Sequence, residues 1–383
     1  MTQQIFEESP SRQSAYLRFL DLLPRQPILP DHQNDLNQIF GKSVLVTGAA
    51  GSIASELVMQ LGASCPGLLV LIDQCETSLF ETEMAVANQF PQIVVESYIA
   101  DITDKTRMER IISHIRPEII FHAAAYKHVS VMEKHPYEAL KANFFGTKIL
   151  ADLAIKYSVC CFLLISTDKA VRPASVMGAT KRLAELYVQN ICFAAPKKTR
   201  FVTTRFGNVL GSSGSFTNIL QNQIEKGGPV TITHPFATRY FMTSTEACRL
   251  VLHAFAAGKN GDILFFDMGD RIPILSIAEL MISAYGLVPH QDIEMIFTGL
   301  RPGEKLHEDL LNDNETVKPG SYCKTRIAVC DPIPPHTFQE AIMLLEEIMY
   351  YGKDSEIVAA LKTVLPYLSG LTGKPNFVTS QDS

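Results

Sequence analysis

The chain has no tryptophan, and none of its eight cysteines (65, 75, 160, 161, 192, 248, 323 and 330) forms a Cys-x-x-Cys pair. That spacing gives no support to a zinc ribbon or a dithiol redox centre, and no metal site is expected. Several of the cysteines sit in apolar runs, so they read as small buried hydrophobes of a reducing, cytoplasmic protein. No apolar run reaches the roughly 18 residues of a membrane-crossing helix. The first ten residues are polar and acidic and lack a signal-peptide pattern. No basic run stands out and the net charge is −6, which removes the electrostatic case for nucleic-acid binding. Any anionic ligand must therefore be held by local groups. Internal repeats are absent.

What remains is a 383-residue chain, 46% hydrophobic and 19% charged, suited to a large core. Apolar strand cores near 44–47, 68–72, 93–98, 118–122, 160–165 and 200–206 alternate with helical stretches near 52–62, 76–90, 104–115, 135–157 and 177–195. Such alternation predicts an α/β fold with a doubly wound parallel sheet, the Rossmann architecture. The expected organisation is a helical extension over 1–40, with a possible helix at 14–23, then a dinucleotide-binding domain over 41–206. Residues 241–269 are expected to return to that domain. A smaller substrate-binding α/β lobe is expected from 207–240 and 270–365, and a mobile tail from 366.

Two stretches carry chemistry. In the first, Gly48, Gly51 and Ala54 follow the strand core Val44–Val46 at a Gly-x-x-Gly-x-x-Ala spacing and open a helix. The first glycine permits a tight turn, and the second lets backbone amides approach a pyrophosphate. Asp73 ends the next strand about 20 residues on, where a carboxylate binds a ribose 2′-OH and repels a 2′-phosphate. NAD is therefore favoured over NADP. In the second stretch, Ser166, Thr167, Asp168 and Lys169 end a buried strand and a helix carrying Met177 and Lys181 follows. Ligands of open α/β sheets bind at the carboxyl ends of strands. A hydroxyl, a carboxylate and an ammonium there suit proton transfer beside a cofactor. The small residues Ala123 and Ala124 end another strand, with Lys127 and His128 beyond them facing the crevice. Arg239 and Arg301 in the second lobe suit a diphosphate.

These motifs resemble the extended short-chain dehydrogenase/reductases, and within them the nucleotide-sugar 4,6-dehydratases of bacterial polysaccharide biosynthesis that act on UDP-N-acetylglucosamine. The resemblance runs from about 20 to 350. It rests on the segments at 47–54, 122–129, 141–147, 166–171, 177–182, 205–212, 233–243 and 301–305. Arg172 stands where family members commonly carry Asn, and Met177 where many reductases of this fold carry Tyr. Many relatives also carry an N-terminal membrane domain, and the chain resembles their cytoplasmic catalytic half.

The resemblance implies an internal redox cycle on a UDP-sugar: oxidation at C4, loss of the C5 proton and C6 hydroxyl, and reduction at C6. It implies that Asp168 is the acid and Lys169 the C5 base, that Thr167 bonds the C4 oxygen and that Lys181 holds the nicotinamide ribose. Cofactor contacts are implied at Thr47, Gly48, Gly51, Ser52 and Ile53, and again at Asp73, Asp101, Ile102, Ala123 and Ala124. Lys127, His128, Asn208, Arg239 and Arg301 are implied as substrate contacts, and a homo-oligomer is expected. Met177 points to retention at C5. Three competing readings stand beside this one: a C5-inverting dehydratase, a nucleotide-sugar 4-epimerase, and a non-catalytic NAD-binding scaffold.

Overall fold

The computed structural model describes residues 19–20, 37–194, 198–322, 324–331 and 333–369. Most of the expected 14–23 helix and the tail beyond 369 lie outside the described residues. The main strands are β1 (Ser43–Thr47), β2 (Leu68–Asp73), β3 (Val95–Ile99), β4 (Ile119–His122), β5 (Cys161–Thr167), β6 (Arg200–Phe206), β7 (Asp262–Phe266), β8 (Thr316–Pro319) and β9 (Thr325–Val329). They form one sheet in the order β8-β9-β7-β6-β5-β4-β1-β2-β3. The pairings from β3 through β1 to β7 are parallel, whereas β9 runs antiparallel to both β7 and β8. This is a doubly wound α/β sheet. Its order reverses between β1 and β4, so a crevice opens at their carboxyl ends.

Both faces of the sheet are covered. The helices are α1 (Ser52–Ala63), α2 (Glu76–Gln89), α3 (Lys105–Ile115), α4 (Thr147–Lys156), α5 (Val176–Ala194), α6 (Phe216–Glu225), α7 (Ser244–Ala257), α8 (Ile274–Ala284), α9 (Pro335–Tyr351) and α10 (Asp354–Ser369). Alternate side chains of a strand point to opposite faces. Val44, Val46, Leu69 and Leu71 pack with α1, α2 and α7, while Leu45, Val70 and Ile72 pack in the core of α3, α4 and α5. Continuous apolar runs follow from burial on both sides. Asp104 caps α3 by accepting from Arg107 N at 2.9 Å, and Thr243 and Glu246 form a reciprocal capping box on α7.

The second lobe has its own core, with Leu220, Ile224, Ile277 and Met281 packed around Val230 and Ile232. Phe19 is buried in the same core. The strand at Val230–Ile232 pairs in parallel with Met295–Phe297, and Thr238–Arg239 pairs with Ile272–Pro273.

Two expectations need correction. The lobe was expected to run through 365, but β8 and β9 join the main sheet, and Phe338, Leu345, Leu361 and Leu365 of α9 and α10 are buried in the core with α5. The single helix expected over 135–157 is broken. Short helices at Val129–Met132 and Pro136–Ala139 lead into a widened helical turn at Leu140–Gly146, and only then does α4 begin. Widened turns of this kind often mark functional sites.

Candidate functional site

The glycine turn forms one wall of the crevice. Gly48 has φ +67°, and a Cβ there would lie 2.7 Å from the backbone of Ala124. Only glycine allows β1 and the strand end of β4 to approach so closely. The first bond of α1 runs from Ser55 N to Gly51 O. The amides of Ser52, Ile53 and Ala54 thus project from the helix end, an arrangement that attracts phosphate. Asp73 braces the turn: it accepts from Ala50 N at 3.1 Å and from Cys75 N at 2.9 Å. A cavity of about 160 Å³ opens here, lined by Gly48, Gly51, Asp73, Asp101, Ile102, Ala123 and Ala124 together with Glu138 and Lys141.

The floor of this crevice is fixed by buried polar contacts. Thr47 carries its hydroxyl inward to His122 Nδ1 at 2.7 Å, and His122 Nε2 meets Thr147 Oγ1 at 2.9 Å. Thr147 donates to Asn143 O, so it accepts from His122, and the imidazole proton sits on Nε2. Burial pushes the His122 pKa down to about 3, with Lys181 adding to the effect. Asn143, carried by the widened turn, clamps both the N–H and C=O of Tyr126 and donates to Thr180 of α5. The loop bearing Lys127 and His128 is thereby tied to the helix bearing Lys181. Lys127 has no ion-pair partner among the described residues, and partial burial lowers its pKa. His128 packs against Gly214, whose loop donates from Ser213 N to Ser52 Oγ at 2.8 Å.

At the end of β5 the chain makes a tight turn, Asp168–Ala170. Thr167 donates to Asp168 Oδ1 at 3.0 Å, and Lys169 Nζ reaches the same oxygen at 3.0 Å. Asn208 Oδ1 accepts from Lys169 Nζ at 2.9 Å, and Glu308 Oε1 lies 3.6 Å from it. Asp168 is fully buried, and its Oδ2 has no hydrogen-bond partner. Burial raises the Asp168 pKa and Glu308 adds to the rise, against the pull of Lys169. Burial alone would lower Lys169, but Asp168 and Glu308 hold it above the ordinary lysine value. Lys181 Nζ donates to Ile165 O at 2.7 Å, and burial pushes its pKa down to about 8. Met177 is buried in the core that packs α5 on the sheet.

The two arginines differ. Arg239 is buried and donates to Thr238 O, Leu306 O and Glu304. It brackets the turn at 301–305. Arg301 is exposed; its amide donates to Glu304 Oε2 at 3.1 Å, and its guanidinium has no partner among the described residues. Lys305 reaches across to Val171 O at 2.7 Å, which binds this turn to the loop that follows β5. Arg172, at φ +38°, holds a left-handed position that favours Asn. Its amide is held by Asn312 and its guanidinium by Asp309 and Asp313.

Several residues of the site carry no role in the sequence reading. Asn143 lies in the 141–147 segment and Glu308 three residues past the 301–305 segment, and that proximity is their one signal. Glu138 comes into the crevice from the short helix Pro136–Ala139 and Lys141 from the widened turn. A buried network of Arg182, Glu185, Arg205 and Glu315 also lies behind β5, where Ser166 donates to Glu185 at 2.6 Å. Among the described residues no helix is long and apolar enough to cross a membrane, and no group of three or more His, Cys, Asp or Glu is placed to hold a metal.

Residues 44–329 match the family described as polysaccharide biosynthesis protein. EpsC of Bacillus subtilis, named as a probable polysaccharide biosynthesis protein, is 47% identical over 77% of this chain and 49% of its own length. The chain thus spans about half of that relative. An inverting UDP-N-acetylglucosamine 4,6-dehydratase of Campylobacter jejuni is 31% identical over 72% of this chain and 79% of its own. Among solved structures, Pen from Bacillus thuringiensis superposes with a TM-score of 0.68 at 27% identity, covering 76% of this chain and 87% of that one. With this fold, this crevice and a family match that spans most of the sheet and the second lobe, the chain belongs to the polysaccharide biosynthesis protein family.

Proposed function

We propose that the chain catalyses NAD-dependent 4,6-dehydration of UDP-N-acetylglucosamine with retention at C5, for surface-glycan synthesis. The observation that carries this reading is the buried Asp168, whose second carboxylate oxygen lacks a partner beside Lys169 at the carboxyl end of β5. An elimination needs an acid for the departing hydroxyl. Epimerisation at C4 does not. The similarity to the Campylobacter dehydratase supports the same substrate class.

The crevice fits a dinucleotide. The Gly48 cradle leaves room for no Cβ, the end of α1 would face the pyrophosphate, and Asp73 would meet the adenosine ribose. Bound there, NAD supplies a reversible hydride acceptor. Asp101, Ile102, Ala123 and Ala124 would line its path, and Lys181 would hold the nicotinamide ribose.

The chain's own groups do the remaining work. Asp168, whose carboxyl burial pushes toward its protonated form, would give its proton to the C6 hydroxyl as water leaves. Thr167 moves its hydroxyl from Asp168 to the C4 oxygen. Lys169 is the C5 base of the reading; it rests as an ammonium beside the Glu308 carboxylate, is 21% exposed, and would release its proton to water before it takes the C5 proton and becomes an ammonium again. Arg301, Lys127 and His128 would meet the diphosphate and sugar, with Asn208 beside Lys169. Arg239 would hold the 301–305 turn in place for them. Met177 puts no phenol beside Lys181, which favours return of the C5 proton to the face it left.

The test is incubation of the purified chain with UDP-N-acetylglucosamine and no added reductant. Loss of one water by mass spectrometry is expected. A product of unchanged mass and altered C4 would mean an epimerase. A strict need for stoichiometric NADPH would also overturn the reading.

A further inference from the structure

Glu308 is buried, yet its Oε2 has no hydrogen-bond partner. It faces three cations. Lys169 Nζ lies 3.6 Å from Oε1, Arg239 Nε lies 3.9 Å from Oε1, and Lys305 Nζ lies 3.5 Å from Oε2. Asp168 faces only Lys169, whose Nζ also donates to Asn208. Glu304, the remaining carboxylate, is taken by Arg239 at 3.1 Å. One ammonium thus lies between two buried carboxylates, and the additional cations gather on one of them.

Two carboxylates sharing a buried site do not both ionise readily. Glu308, flanked by Lys305 and Arg239 as well as Lys169, keeps the charge, and Asp168, faced by the Lys169 ammonium alone, keeps the proton. We propose that Glu308 is a positioning residue whose negative charge keeps Asp168 protonated, ready to donate to the leaving C6 hydroxyl. This deepens the dehydratase reading and rests on it for the identity of the leaving group. The balance is simple. The Asp168 O–H bond breaks, an O–H bond forms on the C6 oxygen, the C6–O bond breaks, and water departs. The C5–H electron pair becomes the new double bond as its proton goes to the base. Asp168 is left as a carboxylate against the Lys169 ammonium, and Glu308 ends the step with its charge unchanged. The pKa directions agree: burial would raise Glu308, but Lys169, Lys305 and Arg239 hold it below the ordinary value.

The charge state can be read without turnover. In the infrared spectrum the wild-type protein should show a protonated-carboxyl band at neutral pH that Asp168→Asn removes. Glu308→Gln should shift the titration of that band down by about one pH unit or more, the coupling expected of carboxylates sharing a site. Glu308→Asp should leave it near the wild-type position. In kinetics, the fall in dehydration at high pH should move down by the same amount in Glu308→Gln, while UDP binding stays unchanged by calorimetry. A wild-type band that survives Asp168→Asn overturns the proposal, even where Glu308→Gln fails to fold. So does a folded Glu308→Gln with an unmoved band, or a Glu308→Asp that shifts it as far as Gln does. A wild-type protein that shows the band but releases no water from the UDP-sugar would count against the dehydratase reading, while the shift in Glu308→Gln would still uphold the role of Glu308.

Discussion

Two clusters of buried charge meet β5 at consecutive residues, Ser166 and Thr167, and their hydrogen bonding differs. Behind Ser166, two arginines face two glutamates. Glu185 accepts from Ser166, Arg182 and Arg205, and Glu315 accepts from Arg182, Arg205 and the Asn312 amide. Every carboxylate oxygen there has at least one donor. Beside Thr167, Asp168 and Glu308 each keep one oxygen without a hydrogen bond. A buried network whose carboxylate oxygens are all bonded holds a structure together, even though Arg182 here keeps Nε and one Nη without a partner. An unsatisfied one is costly to bury and marks a place where another molecule completes it. The first cluster ties β5, α5, β6 and the segment leading into β8 into one body. In the proposed reading the second is completed by the substrate.

The sharpest way to break this contrast is Asp168→Asn. It should cut dehydration by about 10²–10⁴-fold, with UDP binding kept by calorimetry and the denaturation midpoint barely moved. Lys169→Ala should do the same to the rate. Near-wild-type turnover by both would show that the unsatisfied cluster does not carry the chemistry.

The cluster with fully bonded carboxylates should answer in the opposite way. Arg205→Met leaves Glu185 and Glu315 facing each other with one cation. It should destabilise the fold by about 3–5 kcal/mol, the usual result of breaking a buried ion pair. Chemical denaturation measures it. A loss below about 1 kcal/mol would make the network incidental.

The cofactor crevice depends on backbone rather than charge. Gly48→Ala places a methyl 2.7 Å from Ala124 at φ +67°. Backbone strain of about 1–3 kcal/mol is expected, together with weakened NAD binding in a fluorescence titration. Unchanged affinity would show that the close approach is not needed.

The smallest effect per unit is on pH dependence. His122 is neutral in the fold down to about pH 3, whereas its ordinary value is 6.5. The unfolded chain therefore binds a proton that the folded chain refuses. Stability falls as pH drops from 6.5 toward 3, by at most about 1.4 kcal/mol per pH unit. His122→Gln should flatten that slope in urea melts taken across the window. An unchanged slope would mean that His122 already shares its proton in the fold.

The same contrast explains how much was legible in the sequence. The glycine turn, Asp73 and the Ser166–Lys169 strand end are local, and each comes from a run of adjacent residues with a fixed periodicity. Strands buried on both faces announce themselves as apolar runs. The pairing of β8 and β9 with the main sheet is not local. Thr316–Pro319 is exposed along its length and ends in proline, so nothing in its pattern names the sheet it joins. The broken helix follows from Asn143 needing to reach Tyr126 and Thr180 at once, a tertiary demand that overrides helical periodicity. Glu308 sits in plain view just after the 301–305 segment, but its meaning depends on Lys169, Lys305 and Arg239 meeting in space.

The central claim is that the Asp168 cluster removes water from a UDP-sugar. The most direct measurement is the reaction of wild-type protein with UDP-N-acetylglucosamine in D2O, followed by mass spectrometry and NMR. The account predicts a 4-keto product lighter by one water, deuterated at C5, with the D-xylo configuration formed first. A C4 epimer of unchanged composition would contradict it, and an L-arabino first product would contradict retention at C5.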